Sequence, residues 1–458
     1  MQLADREAAA SAATSMIRAL RAEGVVGVAT SFVDNSGISR VKSVPLARLP
    51  QLASWGVGSS KSCDRWRFDD QIVGTDDGKT AIGDLRLIPD LEKLVVLRAQ
   101  PGWAWAPASR FNQLGEPHDQ CSRELLRRQM GILAAQGLTV RSAIEVEWVI
   151  SEAGSDDFVA PSSGSAYGMT RLIEHSDYMR EILAALVEQG IDIEQIHPEY
   201  ASGQMEVAVA AEDPVSAADT TMLIRHTIRA VGLAHGLRTS FSPKVAVPGV
   251  GNGGHVHLSL WREDQNLLAS GPGTYGLQAA GESFGAGIFE HLPALLAIGA
   301  PSVVSYLRLI PGHWAGAFGC WGLENREAAM RMITGSAGSN PWAANIELKC
   351  FDLLANPYLL LAGLLAAGID GVARAAVLPD PLEVDPASLS ADQLNDLNIK
   401  RLPISLAEAT DCLAENSTLA KALGQPLTDS LLALRRDEVA HFANATDEQI
   451  AGALRWRH

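Results

Sequence analysis

Two short segments carry pairs of ionisable residues two positions apart in apolar surroundings. Glu145 and Glu147 lie in AIEVEWVI, and His255 and His257 lie in GHVHLSLW, which follows a glycine-rich turn. The β-branched and apolar neighbours favour strands, in which residues i and i+2 project from the same face. Burying two like carboxylates on one face is costly unless a cation lies between them. A strand face open to water is the alternative interpretation of the glutamate pair.

Further carboxylates occur in short segments of the same region. Glu199 and Glu206 flank a turn that contains Gly203, and Glu347 lies in the strand-like NIELKCF. Taken singly, each acid is more simply interpreted as a surface residue, and each histidine as a satisfied core residue. Together, five carboxylates and an imidazole without a thiolate suit Mg²⁺ or Mn²⁺ better than zinc. The set could hold two divalent ions.

Four cationic residues lie in the same third of a chain that is acidic overall. The 458 residues contain 37 Lys and Arg against 53 Asp and Glu, a formal net charge of −16. Such a balance argues against a nucleic-acid partner. Arg308, Arg326, Arg331 and Lys349 nevertheless lie close together in sequence. Guanidinium groups bind phosphate and carboxylate oxygens bidentately, although ENREAAMR alone would be interpreted as a helix face.

The cysteines and the apolar segments predict a cytoplasmic chain without a membrane partner. The five cysteines are scattered and form no C-x-x-C, as expected of reduced thiols. The charged N-terminal segment favours an amphipathic helix over a signal peptide. The most apolar stretch, residues 358 to 369, is shorter than the roughly 18 to 20 residues of a membrane span. We therefore predict that it forms a buried helix.

The chain divides into a β-rich N-terminal part and a longer mixed part. Residues 25 to 45 predict two strands joined by a tight turn at NSG. Residues 56 to 117 are rich in Gly, Pro, Asp and Trp, which is typical of a small β-rich unit. Beyond this point amphipathic helices alternate with short strands. We place the boundary at residue 112, giving domains of residues 1–112 and 113–458.

Taken together, these segments resemble the glutamine synthetase superfamily, whose motifs occur here in the family's order. The matching motifs are E-x-E at Glu145 and Glu147, H-x-E…G-Q-x-E from His197 to Glu206, S-P-K…G-x-G-x-H-x-H at Pro243, Lys244, Gly251, Gly253, His255 and His257, S-Y-x-R-L-x-P-G from Ser305 to Gly312, N-R-x-x-x-x-R from Asn325 to Arg331, and E-x-K/R-x-x-D…N-P-Y-L from Glu347 to Leu359. The match is strongest from about residue 140 to residue 370.

The resemblance implies an α+β fold and an oligomer. A small N-terminal β-grasp domain would precede a large C-terminal catalytic domain, in which helices flank a curved antiparallel sheet. Enzymes of this type assemble as two stacked hexamers, a homododecamer in which the neighbouring subunit's small domain completes each active site.

The resemblance also implies ATP, glutamate and an amine as substrates, with two or more Mg²⁺ or Mn²⁺ ions per site. The implied metal ligands are Glu147, Glu199 and Glu206 on the side of the acid substrate, and Glu145, His255 and Glu347 on the side of the nucleotide. The implied ATP-binding residues are His257, Ser259, Arg326 and Arg331. The implied glutamate-binding residues are Gly251, Arg308 and Lys349. The residues implied in catalysis are Arg308, Arg326 and Glu347.

Two positions of the family's ammonia site differ in this chain. The flap motif P-G-Y-E-A-P reads PGHWAG, so its acid becomes Trp314, and the aspartate of D-G-S-S aligns with Val57. Ammonium needs carboxylates that bind it and accept its proton. An indole and a valine instead form an apolar wall that suits an amine with a carbon body, and an indole also holds a cation over its face. We therefore predict that Trp314 and Val57 contact the amine; the sequence identifies no general base.

Two smaller departures concern the acid substrate and the glycine-rich turn. Lys349 replaces the family's glutamate-binding arginine and lacks its bidentate fork, which leaves an acid other than glutamate possible. Val250 replaces the asparagine that precedes the glycine-rich turn.

Three functions remain open at this level. The first is an ATP-dependent carbon-nitrogen ligase that joins glutamate to ethanolamine, a polyamine or another small alkylamine through a γ-glutamyl phosphate. The second is a glutamine synthetase with an unusual ammonia site, against which Trp314 argues. The third is a non-catalytic ring-forming scaffold or sensor, against which the complete set of metal ligands argues, because buried like charges give a scaffold no advantage.

Overall fold

A computed structural model describes residues 3–74, 82–249 and 251–458. Val250 therefore lies outside the described residues. The α-helices in these ranges are α1 (Leu3–Ala22), α2 (Leu49–Trp55), α3 (Ser122–Ala134), α4 (Met169–Glu174), α5 (Ser176–Glu188), α6 (Pro214–Ala234), α7 (Ala279–Gly299), α8 (Asn340–Ala343), α9 (Pro357–Arg374), α10 (Ala391–Asp396), α11 (Leu406–Glu415), α12 (Ser417–Leu423), α13 (Gln425–His441) and α14 (Asp447–Leu454).

The strands within the described residues form three sheets. They are β1 (Gly27–Val33), β2 (Ser39–Pro45), β3 (Val57–Ser60), β4 (Asp84–Pro89), β5 (Val95–Val96), β6 (Trp103–Phe111), β7 (Thr139–Ile144), β8 (Val146–Glu152), β9 (Ile193–Pro198), β10 (Gln204–Val209), β11 (Leu237–Ser240), β12 (Val256–Arg262), β13 (Gln265–Asn266), β14 (Phe318–Leu323), β15 (Ala328–Ile333), β16 (Asn345–Leu348) and β17 (Lys400–Arg401).

The N-terminal sheet has the strand order β2-β1-β6-β4-β3, with β5 paired to β6. The predicted helix and hairpin are both present as α1 and the antiparallel pair β1–β2. Asp34 shapes the turn because its carboxylate accepts hydrogen bonds from the amides of Ser36 and Ile38. Helices α1 and α2 pack together and contribute to a small core with the sheet. The domain boundary at residue 112 stays a prediction.

The other two sheets meet at Glu145. One has the order β11-β8-β10-β9, and the other has the order β13-β12-β16-β15-β14-β17 with β7 paired to β12. The prediction of one continuous strand through AIEVEWVI was wrong, because β7 ends at Ile144 and β8 begins at Val146. The chain changes sheets there, and the Glu145 amide donates to the His255 carbonyl over 2.9 Å. Helices pack around both sheets, which confirms the predicted α+β class.

Helix α9 contains the apolar stretch that the sequence predicts to be buried. The Asn356 side chain caps its N-terminus by accepting from the amides of Tyr358 and Leu359. Helix α9 packs closely on α7, and a Cβ atom at Gly371 would clash with the Ser283 carbonyl. Its length and composition would allow a membrane span, but 72% of it is buried within the protein. The prediction of a buried helix is confirmed.

Candidate active site

Strand registers align the ionisable residues in two rows, one in each C-terminal sheet. In the first, Glu206 on β10 lies opposite His197 on β9 and opposite Glu147 on β8. In the second, Glu347 on β16 lies opposite His257 on β12 and opposite Arg331 on β15. Directly opposed residues bring their side chains together on one face of a sheet. Residues far apart in sequence therefore converge where the two sheets meet.

Cluster I consists of Glu145, His255 and Glu347, whose ligand atoms lie within 4.8 Å of one another. The Nδ1 atom of His255 is 2.8 Å from Glu145 Oε2 and 3.4 Å from Glu347 Oε1. The Nε2 atom of His257 is 3.1 Å from the other oxygen of Glu145. The prediction that these three residues share one site agrees with this arrangement.

The charges of cluster I are set by its neighbours. Burial acts to raise the pKa of Glu145, but hydrogen bonds from His255 and His257 outweigh it and hold that pKa well below its usual range. Burial also opposes ionisation of Glu347, yet the cations around it, Lys349 first, lower its pKa to about 2. The His257 pKa rises to about 9, because its contacts with Glu145 outweigh the effect of burial. Both carboxylates are therefore ionised at neutral pH.

Cluster II consists of His197, Glu199 and Glu206, also within 4.8 Å of one another. The Nε2 atom of His197 is 3.3 Å from Glu206 Oε1, and its Nδ1 atom is 3.8 Å from Glu199 Oε1. Arg171 on α4 fixes the turn behind Glu199 by donating to the carbonyls of Glu199 and Ala201. Local packing thus sets the position of the Glu199 carboxylate.

In cluster II, burial and neighbouring carboxylates oppose ionisation of the two glutamates. Burial, followed by the charge of Glu147, raises the pKa of Glu199. Burial, together with Glu145 and Glu147, likewise raises the pKa of Glu206, although a hydrogen bond from His197 opposes the shift. In turn, the hydrogen bond to Glu206 raises the pKa of His197 to about 9. The carboxylates of this cluster are held together against their mutual repulsion, as expected of groups that bind a cation.

Glu147 lies between the two clusters. Its Oε2 atom accepts from Gln204 Nε2 at 2.9 Å and from the Gly253 amide at 2.8 Å, and its Oε1 atom is 3.8 Å from His255 Nε2. It faces Glu206 across the β8–β10 pair. The family resemblance implies that these two residues bind the same metal ion.

His197 is a member of cluster II that the predicted ligand set omits. Gln195, His197 and Glu199 alternate along and just beyond β9 and all three line the cavity described below. The spacing of two in QIHPE was the signal that could have added His197 to that set.

Three cationic side chains lie against cluster I. Arg331 Nη1 donates to Glu347 Oε2 at 2.9 Å, and Lys349 Nζ donates to Glu347 Oε1 at the same distance. Arg308 donates to the carbonyls of Lys349 and Phe351 and to His255 Nε2. Because a guanidinium only donates, His255 Nε2 accepts in this contact and its Nδ1 hydrogen points to Glu145. The Nε atom of Arg331 is buried without a partner, so this residue has a hydrogen bond left to make.

One cavity of about 950 Å³ contains both clusters and these cations, a volume suited to a nucleotide with smaller substrates. Its walls are formed by Glu145, Glu147, Tyr167, Gln195, His197, Pro198, Glu199, Tyr200, Gln204, Glu206, Gly251, His255, His257, Arg308, Gly312, His313, Trp314, Arg326, Arg331, Ile333, Glu347 and Lys349. Most of the sequence-predicted site residues are thus brought together.

Two predicted contact residues do not line this cavity. Val57 lies on β3 in the N-terminal sheet, where it is partly buried and packs against two small hydrophobic clusters. Ser259 on β12 is buried, and its hydroxyl accepts a hydrogen bond from Trp261 Nε1 at 2.8 Å. The prediction that Ser259 contacts ATP therefore has no support from this geometry, and a role for Val57 requires a neighbouring subunit.

Trp314 lies at the edge of the cavity. Its side chain is 53% exposed, and the Arg326 guanidinium lies 5.5 Å from the centre of its ring. The Trp314 amide donates to Glu327 Oε1 at 2.7 Å. The sequence did not identify Glu327 as a functional residue. Glu327 is not among the residues that line the cavity, so the side chain that faces the cavity at this point is the Trp314 indole.

Both clusters fit divalent cations. Each offers carboxylate oxygens and one imidazole nitrogen, and in cluster II burial and the neighbouring carboxylates raise the pKa values of Glu199 and Glu206. Hard oxygen donors without thiolates select magnesium-like ions.

The likeness to known proteins extends over nearly the whole chain. Residues 119–451 match the family of the glutamine synthetase catalytic domain. The chain is 50% identical over 449 residues to the gamma-glutamylpolyamine synthetase GlnA3 of Streptomyces coelicolor, covering 97% of this chain and 96% of that protein. It is 33% identical over 310 residues to the glutamine synthetase of Thermococcus kodakarensis, covering 68% of each.

Solved structures of related proteins have the same fold as this chain. A novel glutamine synthase homolog superposes with a TM-score of 0.84 at 32% identity, covering 94% of this chain and 98% of that one. The GmaS/ADP complex superposes with a TM-score of 0.83 at 27% identity, covering 94% and 97%. The fold, the site and these likenesses define a ligase of the glutamine synthetase type. The chain belongs to the glutamine synthetase family, whose members use ATP, glutamate, an amine and divalent metal ions.

Proposed function

We propose that this protein is an ATP-dependent ligase that joins the γ-carboxylate of glutamate to a carbon-bearing amine, with polyamines as the preferred class. The observation that carries the proposal is the cavity itself, in which two carboxylate clusters and buried cations lie beside an indole at the edge. The 50% identity to a gamma-glutamylpolyamine synthetase supports the choice of polyamines. The superposition on a GmaS structure in complex with ADP supports nucleotide binding.

Magnesium or manganese ions would be held by the two carboxylate clusters. We assign one ion to cluster I and a second to Glu147, Glu199 and Glu206, with His197 beside it. When bound, these ions neutralise phosphate charge and so favour phosphoryl transfer. Without them, Glu147 and Glu206 face each other across neighbouring strands as buried like charges.

The cations of the cavity would bind the anionic substrates. We assign the ATP phosphates to Arg326, Arg331 and His257, because Arg331 retains an unpartnered buried Nε and the His257 pKa is raised to about 9. We assign the amino acid to Gly251, Arg308 and Lys349, which line the same cavity. Arg308 and Lys349 are buried, so their charges act in a poorly screened environment.

The reaction would proceed in two steps. The γ-phosphoryl group passes from ATP to one oxygen of the γ-carboxylate, which releases ADP and gives an acyl phosphate. The amine nitrogen then attacks the acyl carbon, phosphate leaves with that oxygen, and the surplus proton of the nitrogen is released. Arginines at the transferring group stabilise its charge in the first step, which requires no side-chain nucleophile.

The amine would enter beside Trp314. An indole face accommodates methylene groups and attracts a second ammonium group, whereas it supplies no carboxylate to bind ammonium and accept its proton.

Three further features belong to the proposal. We propose a homododecamer of two hexameric rings, in which Val57 reaches the active site of the neighbouring subunit. We also propose the division into domains of residues 1–112 and 113–458. A cytoplasmic location accords with the five cysteines, all free in the structure.

Phosphate release tests the proposal. Purified protein is supplied with ATP, Mg²⁺, glutamate and, in separate reactions, ammonia, methylamine, ethanolamine, putrescine or spermine. We expect a higher kcat/KM with polyamines than with ammonia. Ammonia outperforming every carbon-bearing amine would indicate a glutamine synthetase, and no turnover with any amine would indicate a scaffold.

Matched variants accompany this assay. Glu347→Gln removes a carboxylate of cluster I and should abolish turnover. Glu194→Gln changes an exposed acid on β9 that lies outside the cavity and should leave turnover unchanged.

A further inference from the structure

Glu327 is a buried carboxylate that the mechanism above does not use. It is 4% exposed, and its Oε1 atom accepts the Trp314 amide at 2.7 Å. Its Oε2 atom is buried without a hydrogen-bond partner. Glu327 does not line the cavity, so any effect on a substrate must pass through the loop that it holds.

The loop that carries Trp314 has an unfavourable backbone conformation. Trp314 has a φ of 51°, a left-handed value that bulky side chains rarely adopt. Gly312 and Gly316 on either side have φ values of 76° and 69°, which glycine adopts freely. Such strain persists where surrounding contacts fix the backbone. The hydrogen bond from the Trp314 amide to the buried Glu327 side chain is a contact of this kind.

A single segment holds Trp314 from two sides. Arg326 places its guanidinium over the indole, and the next residue, Glu327, binds the backbone. Asn325 anchors this segment in turn, since its side chain donates to the carbonyls of Leu382 and Val384 and accepts from the Glu327 amide. The position of the indole at the cavity edge is therefore fixed by residues 325–327.

We propose that Glu327 is a positioning residue that sets amine specificity by holding Trp314 over the entrance of the amine pocket. This inference rests on the proposed function for the identity of the substrate, but the backbone anchor does not depend on it. Loss of the carboxylate frees the loop, and the indole no longer offers a fixed face to the carbon body of the amine. Binding of glutamate, which we assign to Gly251, Arg308 and Lys349, is unaffected.

The test uses the full-length protein and four variants: Glu327→Ala, Glu327→Gln, Trp314→Ala and the double variant Trp314→Ala with Glu327→Ala. Hydrogen exchange of the peptide covering residues 311–316 reports on the anchor without requiring activity. We expect faster exchange in Glu327→Ala and exchange like the wild type in Glu327→Gln, whose amide oxygen still accepts the Trp314 amide. Unchanged exchange in Glu327→Ala, or equal effects of both substitutions, would overturn the anchor.

Kinetics then test specificity with whichever amine the wild type uses best. We expect Glu327→Ala to raise the KM for that amine about tenfold, with the KM for glutamate within about twofold of the wild type. In the Trp314→Ala background the same substitution should have no further effect, as expected of a residue that acts through Trp314. A parallel rise in the KM for glutamate, or an undiminished effect without the indole, would overturn the specificity role. A wild type that prefers ammonia would refute the proposed function while the exchange result still decides the anchor.

Discussion

Replacing Glu206 by Gln should change stability in opposite directions with and without metal. Glu206 is buried and lies directly opposite Glu147 in the β8–β10 pair. Like charges opposed across strands cost roughly 0.2–1 kcal/mol. In the presence of EDTA at pH 8 we therefore expect Glu206→Gln to be more stable than the wild type by about this amount.

Magnesium should reverse the order. A ligand at 100 times its Kd stabilises the folded state by about 2.7 kcal/mol. If loss of one carboxylate weakens binding about 100-fold, the same concentration stabilises the variant by only about 0.4 kcal/mol. The wild type should then be the more stable protein by about 1–2 kcal/mol.

The pH dependence follows from the sign of the pKa shift. The Glu206 pKa is raised above its usual value of 4.5 by burial and by its acidic neighbours. The ionised carboxylate therefore lowers the free energy of unfolding at pH values above the Glu206 pKa in the folded protein. This destabilisation is absent at pH values below the Glu206 pKa in the unfolded chain. The advantage of the variant in EDTA should be present at pH 8 and should disappear as the pH falls towards 4.

Urea denaturation at fixed protein concentration, with EDTA or with Mg²⁺, measures these differences. Glu194→Gln on the exposed side of β9 is the control and should follow the wild type in both conditions. The reasoning is refuted if Glu206→Gln is less stable than the wild type in EDTA and magnesium stabilises both proteins equally.

Three further experiments have defined expected outcomes. Trp314→Glu should weaken the use of bulky amines and raise activity with ammonia, measured as the ratio of kcat/KM values, because it places a carboxylate at the cavity edge. Lys349→Met should lower the free energy of unfolding by about 1–3 kcal/mol, since buried Glu347 loses a charged hydrogen bond, and calorimetry measures this loss. Mn²⁺ titrations between pH 8 and pH 5 should show cluster II losing affinity at a higher pH than cluster I, because burial raises the pKa values of Glu199 and Glu206 while that of Glu347 is lowered to about 2. Loss of both sites at the same pH would contradict this order.

Short sequence patterns were sufficient to predict the elements that are determined by residues close in sequence. The N-terminal helix, the hairpin at NSG and the buried helix at Pro357–Arg374 all follow from hydrophobic period, turn residues and capping residues close in sequence. The grouping of Glu145, His255 and Glu347 followed from motif order, and the structure brings them within 4.8 Å.

The remaining features depend on pairing between distant strands. The strand is interrupted at Glu145 because β7 and β8 belong to different sheets. Nothing in the segment AIEVEWVI indicates that the chain passes from one sheet to the other there. The contact of Glu327 with Trp314 joins residues 13 positions apart through a left-handed backbone, which residue type does not predict. Ser259 was assigned by the family resemblance alone, and its burial beside Trp261 is set by the tertiary fold.

Oxygen transfer gives the most direct test of the proposed chemistry. Glutamate labelled with ¹⁸O in its γ-carboxylate is incubated with ATP, Mg²⁺ and spermine, and the released phosphate and the amide are analysed by mass spectrometry. We predict one labelled oxygen in each phosphate and a γ-glutamyl amide of the polyamine. Unlabelled phosphate, or labelled phosphate formed only when ammonia replaces the polyamine, would contradict activation of glutamate for attack by a carbon-bearing amine.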